Sequence, residues 1–189
     1  MRSILLALGV VAALAAPAFA DISASATIKL LSVTGPTNSK TYTYQIDLKN
    51  TGDTQIGTFW YGWIPGYDFL TSQPTITNSP QGWFSYTTGM GPPDGGYSIQ
   101  WYDYYGNTLP PGQTFQFGFS SRNSPQELSG NSPVLGYPMQ TSYVYMGAAM
   151  GDPGFQFLVP APVAVPEAGT LGVMALGGVM LMRRGKRGG

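Results

Sequence analysis

Apolar residues recur at every second position through most of this chain, and that spacing constrains the fold more than any other feature. In SATIKLLSV, Ala26, Ile28 and Leu30 alternate with Thr27 and Lys29; in TYTYQIDLKN, Tyr42, Tyr44, Ile46 and Leu48 fall on one side, with Thr43, Gln45, Asp47 and Lys49 on the other. Side chains of a strand point to opposite faces in turn, so each segment predicts a strand with one buried and one wet face. The pattern continues as aromatic strands broken by Gly and Pro: TFWYGWIPGYDFL, GWFSYTT, GGYSIQWYDYYGN, QTFQFGFSS, SYVYMGAAM and FQFLV. Within these, Tyr97, Ile99 and Trp101 share a face, as do Phe115, Phe117 and Phe119. No stretch of the middle keeps an i, i+3, i+4, i+7 pattern long enough for a helix. The expectation is an all-β domain over residues 21–159, two antiparallel sheets packed as a β-sandwich, with a barrel as the less favoured closure. NTGD at Asn50–Asp53 carries turn chemistry, with Gly52 free to take positive φ, and predicts a hairpin. Pro110 and Pro111 cannot donate to a ladder and stand outside the strand that follows them.

Both ends of the chain differ from this middle. Residues 1–20, MRSILLALGVVAALAAPAFA, have one Arg, an apolar stretch from Ile4 to Ala16, and Ala18 and Ala20 at the minus-three and minus-one positions before Asp21. Small residues at those positions fit a signal peptidase, so cleavage after Ala20 and export are expected. At the other end, Pro160, Pro162 and Pro166 break any ladder and predict an extended linker over residues 160–168. Residues 169–182 are uncharged, and Arg183, Arg184, Lys186 and Arg187 follow in the tail at 183–189. At about 1.5 Å per residue this run covers only ~21 Å of a ~30 Å hydrocarbon core, a marginal transmembrane helix that snorkelling arginines and local thinning can extend. Lys and Arg beside a span stay on the cytoplasmic side, so a single crossing with the last residues inside is expected.

The residue inventory removes whole classes of chemistry. The chain has no Cys and no His. Disulfides, thiol redox, zinc sites built on those residues, Ser-His-Asp triads and imidazole acid–base catalysis are therefore excluded. Full-length net charge is zero, but between the two ends Lys29, Lys40, Lys49 and Arg122 stand against Asp21, Asp47, Asp53, Asp68, Asp94, Asp103, Glu127 and Asp152. A nucleic-acid partner needs clustered cations and is not expected. No segment has the spacing of a calcium loop, and neither a cofactor nor a metal site is expected.

Aromatic residues make up 13% of the chain. Core packing explains most of them, since each ring buries a large apolar area and strands favour them. A sharper alternative is a carbohydrate-binding module whose flat rings stack on pyranose faces, placed at Trp60, Trp63 and Tyr67 and along Trp101–Tyr105, chiefly Trp101, Tyr102 and Tyr104. When Trp101 faces inward, Tyr102 does not, and an exposed aromatic row is hard to explain as core. A glycoside hydrolase is the weaker alternative. It would need two carboxylates from Asp68, Asp94, Asp103 and Glu127 facing each other across a cleft, whereas Asp in Gly-rich turns ordinarily bonds its own backbone.

The C-terminal arrangement resembles one known signal. Val165, Pro166 and Glu167, then the apolar run 169–182, then Arg183, Arg184, Lys186 and Arg187, are similar to the PEP-CTERM sorting signal of exported proteins in Gram-negative bacteria. The usual Pro-Glu-Pro reads Pro166-Glu167-Ala168 here. The resemblance covers roughly the last twenty-five residues and implies recognition by an exosortase-type membrane protease, transient anchoring in the inner membrane, and release to the cell surface or an exopolysaccharide matrix. The expected protein is thus exported and non-enzymatic, with a structural or adhesive role, or with carbohydrate binding as the alternative.

Overall fold

A computed structural model describes residues 21–92, 95–147 and 150–162. The expected signal peptide, Asp94, the sorting motif at Val165–Glu167, the apolar run and the basic tail lie outside the described residues. Among the described residues no helix is long and apolar enough to cross a membrane.

The described residues form antiparallel sheets with almost no helix. A four-stranded sheet has the order β1-β2-β9-β6, from β1 (Ala24–Thr34), β2 (Thr41–Asn50), β9 (Thr114–Ser121) and β6 (Thr75–Asn78). A five-stranded sheet has the order β11-β10-β3-β8-β7, from β11 (Gly154–Leu158), β10 (Thr141–Tyr145), β3 (Thr58–Tyr61), β8 (Ser98–Asp103) and β7 (Trp83–Thr88). A short ribbon pairs β4 (Trp63–Ile64) with β5 (Tyr67–Asp68). The helix α1 (Pro125–Leu128) is a single turn, closed by a capping box in which the Ser124 amide donates to Glu127 Oε2 at 2.6 Å and the Glu127 amide donates to Ser124 Oγ at 3.2 Å.

The two main sheets face one another over one core, and the period-two pattern decides which side chains enter it. From β2 come Tyr44, Ile46 and Leu48, and from β9 Phe117 and Phe119, all fully buried. From the opposite sheet come Phe59 and Tyr61 of β3 and Ile99 and Trp101 of β8. The rings interlock across the gap: Phe59 and Trp101 stack with centroids 5.4 Å apart, and each lies 5.2 Å from Phe117. Tyr61 and Tyr44 flank Phe119 at 5.2 and 5.1 Å. With no cysteine in the chain, this aromatic packing carries the stability of the domain.

The turn at Asn50–Asp53 departs from the expected hairpin. β2 pairs with β1 and β9, whereas β3 pairs with β8 and β10, so the segment carries the chain from one sheet to the other. Long-range bonds hold it there. Asn50 Nδ2 donates to the carbonyls of Thr54 and Leu109 at 2.8 and 3.0 Å, and the Thr51 amide donates to Ser23 O at 3.0 Å. Gly52 serves by lacking a side chain, since a Cβ there would collide with the Asp21 backbone; positive φ plays no part.

Two core tyrosines link stability to alkaline pH. Burial pushes both phenols far above their ordinary value of 10.0, with the neighbouring Tyr61, Tyr42 and Glu127 adding to the effect at Tyr44. The Tyr44 hydroxyl donates to Asn123 O at 2.7 Å, whereas the Tyr61 hydroxyl has no partner. A group with a raised folded pKa contributes stability that is complete below its unfolded pKa and is lost as pH rises above it, at about 1.4 kcal/mol per pH unit per group. Urea midpoints should therefore fall above about pH 10. Tyr61→Phe should be neutral or stabilising at pH 7, because it removes an unsatisfied buried polar atom, and should shallow the alkaline fall. An alkaline slope identical in the variant and the parent would contradict this assignment.

Candidate functional site

The outer face of the five-stranded sheet is aromatic as well. Residues directly opposite in antiparallel pairs share a face, so the register defines two rows running across the strands. One row is Gln156, Tyr143, Trp60, Gln100 and Tyr86; the next is Gly154, Tyr145, Thr58, Tyr102 and Phe84. Neither row contains a charged residue.

The β4–β5 ribbon divides this face in two. Trp63 stacks on Trp60 with centroids 4.2 Å apart and planes 16° from parallel, and meets Tyr143 and Tyr145 edge-on at 6.0 and 6.3 Å. Trp60, Trp63 and Tyr145 thereby form a second apolar cluster in which both tryptophans are buried, at 3% and 4% exposure. Trp60 Nε1 and the adjacent Gln100 Oε1 are buried there without hydrogen-bond partners.

The other half is open. Tyr86 meets Trp60 edge-on at 6.5 Å and Tyr102 at 5.9 Å, and Phe84 stacks beside Tyr102 at 5.8 Å. Beyond β8, Tyr104 and Tyr105 each lie 5.7 Å from Phe84. Four of these rings are largely solvent-facing: Phe84 43%, Tyr86 46%, Tyr104 70% and Tyr105 68% exposed. Local chemistry sets the last pair in place. Asp103 Oδ1 accepts the Tyr105 amide at 3.0 Å, and Gly106 at φ +83 supplies the left-handed residue that closes the bend. Burial pushes the Tyr86 and Tyr145 phenols up, helped by Tyr102 and Tyr143 respectively, so both stay neutral at ordinary pH.

Past Gly106 the surface falls into a groove of ≈ 750 Å³, lined by Gln81, Asn107, Thr108 and Gln113 between Pro80 and Pro111. A smaller hollow of ≈ 390 Å³ is lined by Tyr67, Asp68, Met90 and Leu135.

The residues expected from sequence are thus distributed unevenly. Tyr102 and Tyr104 belong to the open face, and Tyr67 is exposed but lines the smaller hollow. Trp101 is corrected: it is fully buried between the sheets, because β8 turns its odd-numbered side chains inward. Trp60 and Trp63 sit on the outer side of the sheet but cover each other. Alternation alone does not single out Phe84 and Tyr86, although pairing GWFSYTT with YSIQWYD as a hairpin places Phe84 opposite Tyr102 and reveals them.

The carboxylates are engaged separately. Asp68 Oδ1 accepts from Ser98 and Thr88 hydroxyls at 2.6 and 3.0 Å, Asp103 holds the Tyr105 bend, and Glu127 caps α1. Among the described residues no three acidic groups come together as a metal site would require.

No family model matches the chain, and no curated protein matches it. Among solved structures it is similar to the GH20 exo-β-N-acetylglucosaminidase of Vibrio harveyi, at 12% identity and a TM-score of 0.42, over 77% of this chain and 19% of that one. It thus spans about a fifth of that enzyme's length. It is also similar to the CBM3 of Hungateiclostridium clariflavum, at 9% identity and a TM-score of 0.41, over 75% of this chain and 100% of that one. An uncharacterized protein from Nocardia farcinica with an immunoglobulin-like fold matches at 14% identity and a TM-score of 0.39, over 70% and 97% of the two chains. These values assign the chain to no family.

Proposed function

We propose that this protein is an exported, non-catalytic carbohydrate-binding module that holds a polysaccharide on the open aromatic half of its five-stranded sheet. The observation that carries the reading is the contiguous run of Tyr86, Tyr102, Phe84, Tyr104 and Tyr105 on a face that no other described element covers. Stacking on the C–H face of a sugar removes apolar area from water on both partners, and tyrosine hydroxyls bond to sugar hydroxyls at the rim. An exposed patch of this kind marks an interaction surface.

The ends of the chain give the reading its setting. Ala18 and Ala20 fit export, and Val165–Glu167 with the apolar run and Arg183, Arg184, Lys186 and Arg187 fit exosortase-type sorting from the inner membrane to the surface. Binding an exopolysaccharide there makes the protein a structural or adhesive element of the matrix. Mass spectrometry of secreted protein tests the sorting: a mature chain still carrying Met182 in every fraction would end the cleavage proposal.

The binding test is affinity electrophoresis in gels containing polysaccharide, comparing the parent with Tyr86→Ala. Loss of one stacked ring should weaken binding about tenfold, or ~1.4 kcal/mol, with unchanged folding. Equal retardation of the two proteins would remove this face from the proposal.

A further inference from the structure

The arrangement of the rings and charges narrows the ligand, given the carbohydrate-binding reading on which this step rests. We infer that the face takes a single, neutral glycan chain in solution and rejects both crystalline polysaccharide surfaces and acidic glycans.

The first half follows from ring planes. A crystal face presents parallel sugar rings in one flat layer, so a protein that lies on it needs rings that are themselves nearly parallel and level. Here Tyr104 and Tyr105 stand at 88° to each other, Phe84 and Tyr104 at 78°, and Tyr86 and Tyr102 at 72°. Of these pairs only Phe84 and Tyr102 come near to parallel, at 28°. The exposed rings therefore form floors and walls, and a sugar resting on Phe84 or Tyr102 meets Tyr104 or Tyr86 from the side. A sugar can be held on two sides only when its chain is free of its neighbours. Asp103 and Gly106 fix the backbone bend that sets Tyr104 and Tyr105 beside Phe84.

The second half follows from charge. The described cations are Lys29 in β1, Lys40 before β2, Lys49 in β2 and Arg122 just after β9, all in or next to strands of the four-stranded sheet. The strands of the five-stranded sheet contain no Lys or Arg, and their one charged residue is Asp103. Recognition of a carboxylate or sulfate needs a cation or clustered donors. This face offers phenol and amide groups beside one carboxylate, which suits uncharged hydroxyls. The groove beyond Gly106 continues the same chemistry with Gln81, Asn107, Thr108 and Gln113.

The experiment uses the full-length protein in three parallel arms. Affinity gels contain a neutral soluble polymer (hydroxyethylcellulose, glucomannan or xyloglucan) or an acidic one (alginate or polygalacturonate), and co-sedimentation uses crystalline cellulose and crystalline chitin. The expected result is retardation by at least one neutral soluble polymer, undiminished at about 0.5 M salt, where charge attraction is screened. Binding to the acidic polymers should be at least about tenfold weaker, with no depletion on either crystal. Depletion by a crystalline polymer at the same protein concentration, or salt-sensitive binding to an acidic polymer alone, overturns this inference and leaves carbohydrate binding standing. Failure to bind in all three arms overturns the binding reading itself.

Discussion

Trp101→Ala is expected to destabilise the domain by about 4 kcal/mol, leaving it near the margin of folding, since domains of this size are held by roughly 5–15 kcal/mol in all. The indole is fully buried and sits between Phe59 of its own sheet and Phe117 of the other. Its Nε1 donates to Asn78 O at 3.3 Å, a bond that also joins the two sheets. Truncation removes the ring's transfer free energy, opens a cavity between rigid neighbours and deprives a carbonyl of its donor. There is no disulfide to hold the sheets together while the site collapses. With a denaturant slope of about 1–3 kcal/mol per molar, the urea midpoint should drop by roughly 2 M, and Trp101→Phe should recover part of it. A drop under about 0.5 M would mean that the inter-sheet packing described above does not carry the stability assigned to it.

The core was legible in the sequence because it follows from periodicity alone. Tyr44, Ile46 and Leu48 in β2, Phe117 and Phe119 in β9, and Ile99 and Trp101 in β8 alternate with polar or differently facing residues, and all are buried together. The chain's path was less legible. Asn50–Asp53 has the composition of a hairpin turn but acts as a crossover, because its bonds run to Ser23 and Leu109, partners distant in sequence. Strand β6 carries only Ile76 as an apolar residue and gives almost no signal, yet it forms the edge beside β9.

The candidate site was half legible for a different reason. In GWFSYTT aromatic residues occupy both faces, so alternation cannot say which ring is core. Trp83 enters the core, where its Nε1 donates to Asn107 O at 2.7 Å, and Phe84 and Tyr86 remain outside. Trp60 and Trp63 mislead in the opposite direction. Trp60 has outward parity and Trp63 the parity of the inward Phe59 and Tyr61, but Gly62 at φ +69 turns the chain so that β4 lays one indole on the other. Two tryptophans on the solvent side of a sheet thus became a second small core, and the surface left for a ligand is built mainly from tyrosine.

That composition sets the largest effect expected on binding. The double variant Tyr104→Ala/Tyr105→Ala should weaken polysaccharide affinity by about a hundredfold, or ~2.8 kcal/mol, while changing the urea midpoint by no more than about 0.3 M. The two rings are 70% and 68% exposed, so little of the core depends on them, and the bend persists through Asp103 and Gly106. They form the side wall that Phe84 and Tyr102 lack, and losing both removes lateral contact as well as stacking area. The same pair in a purely architectural role would give the converse pattern, with lowered stability and unchanged affinity. Isothermal titration of parent and variant with the neutral polymer that retards the parent most, run beside urea unfolding of both, separates the two roles. A variant that binds within about threefold of the parent would move the ligand away from this wall, toward the groove beyond Gly106.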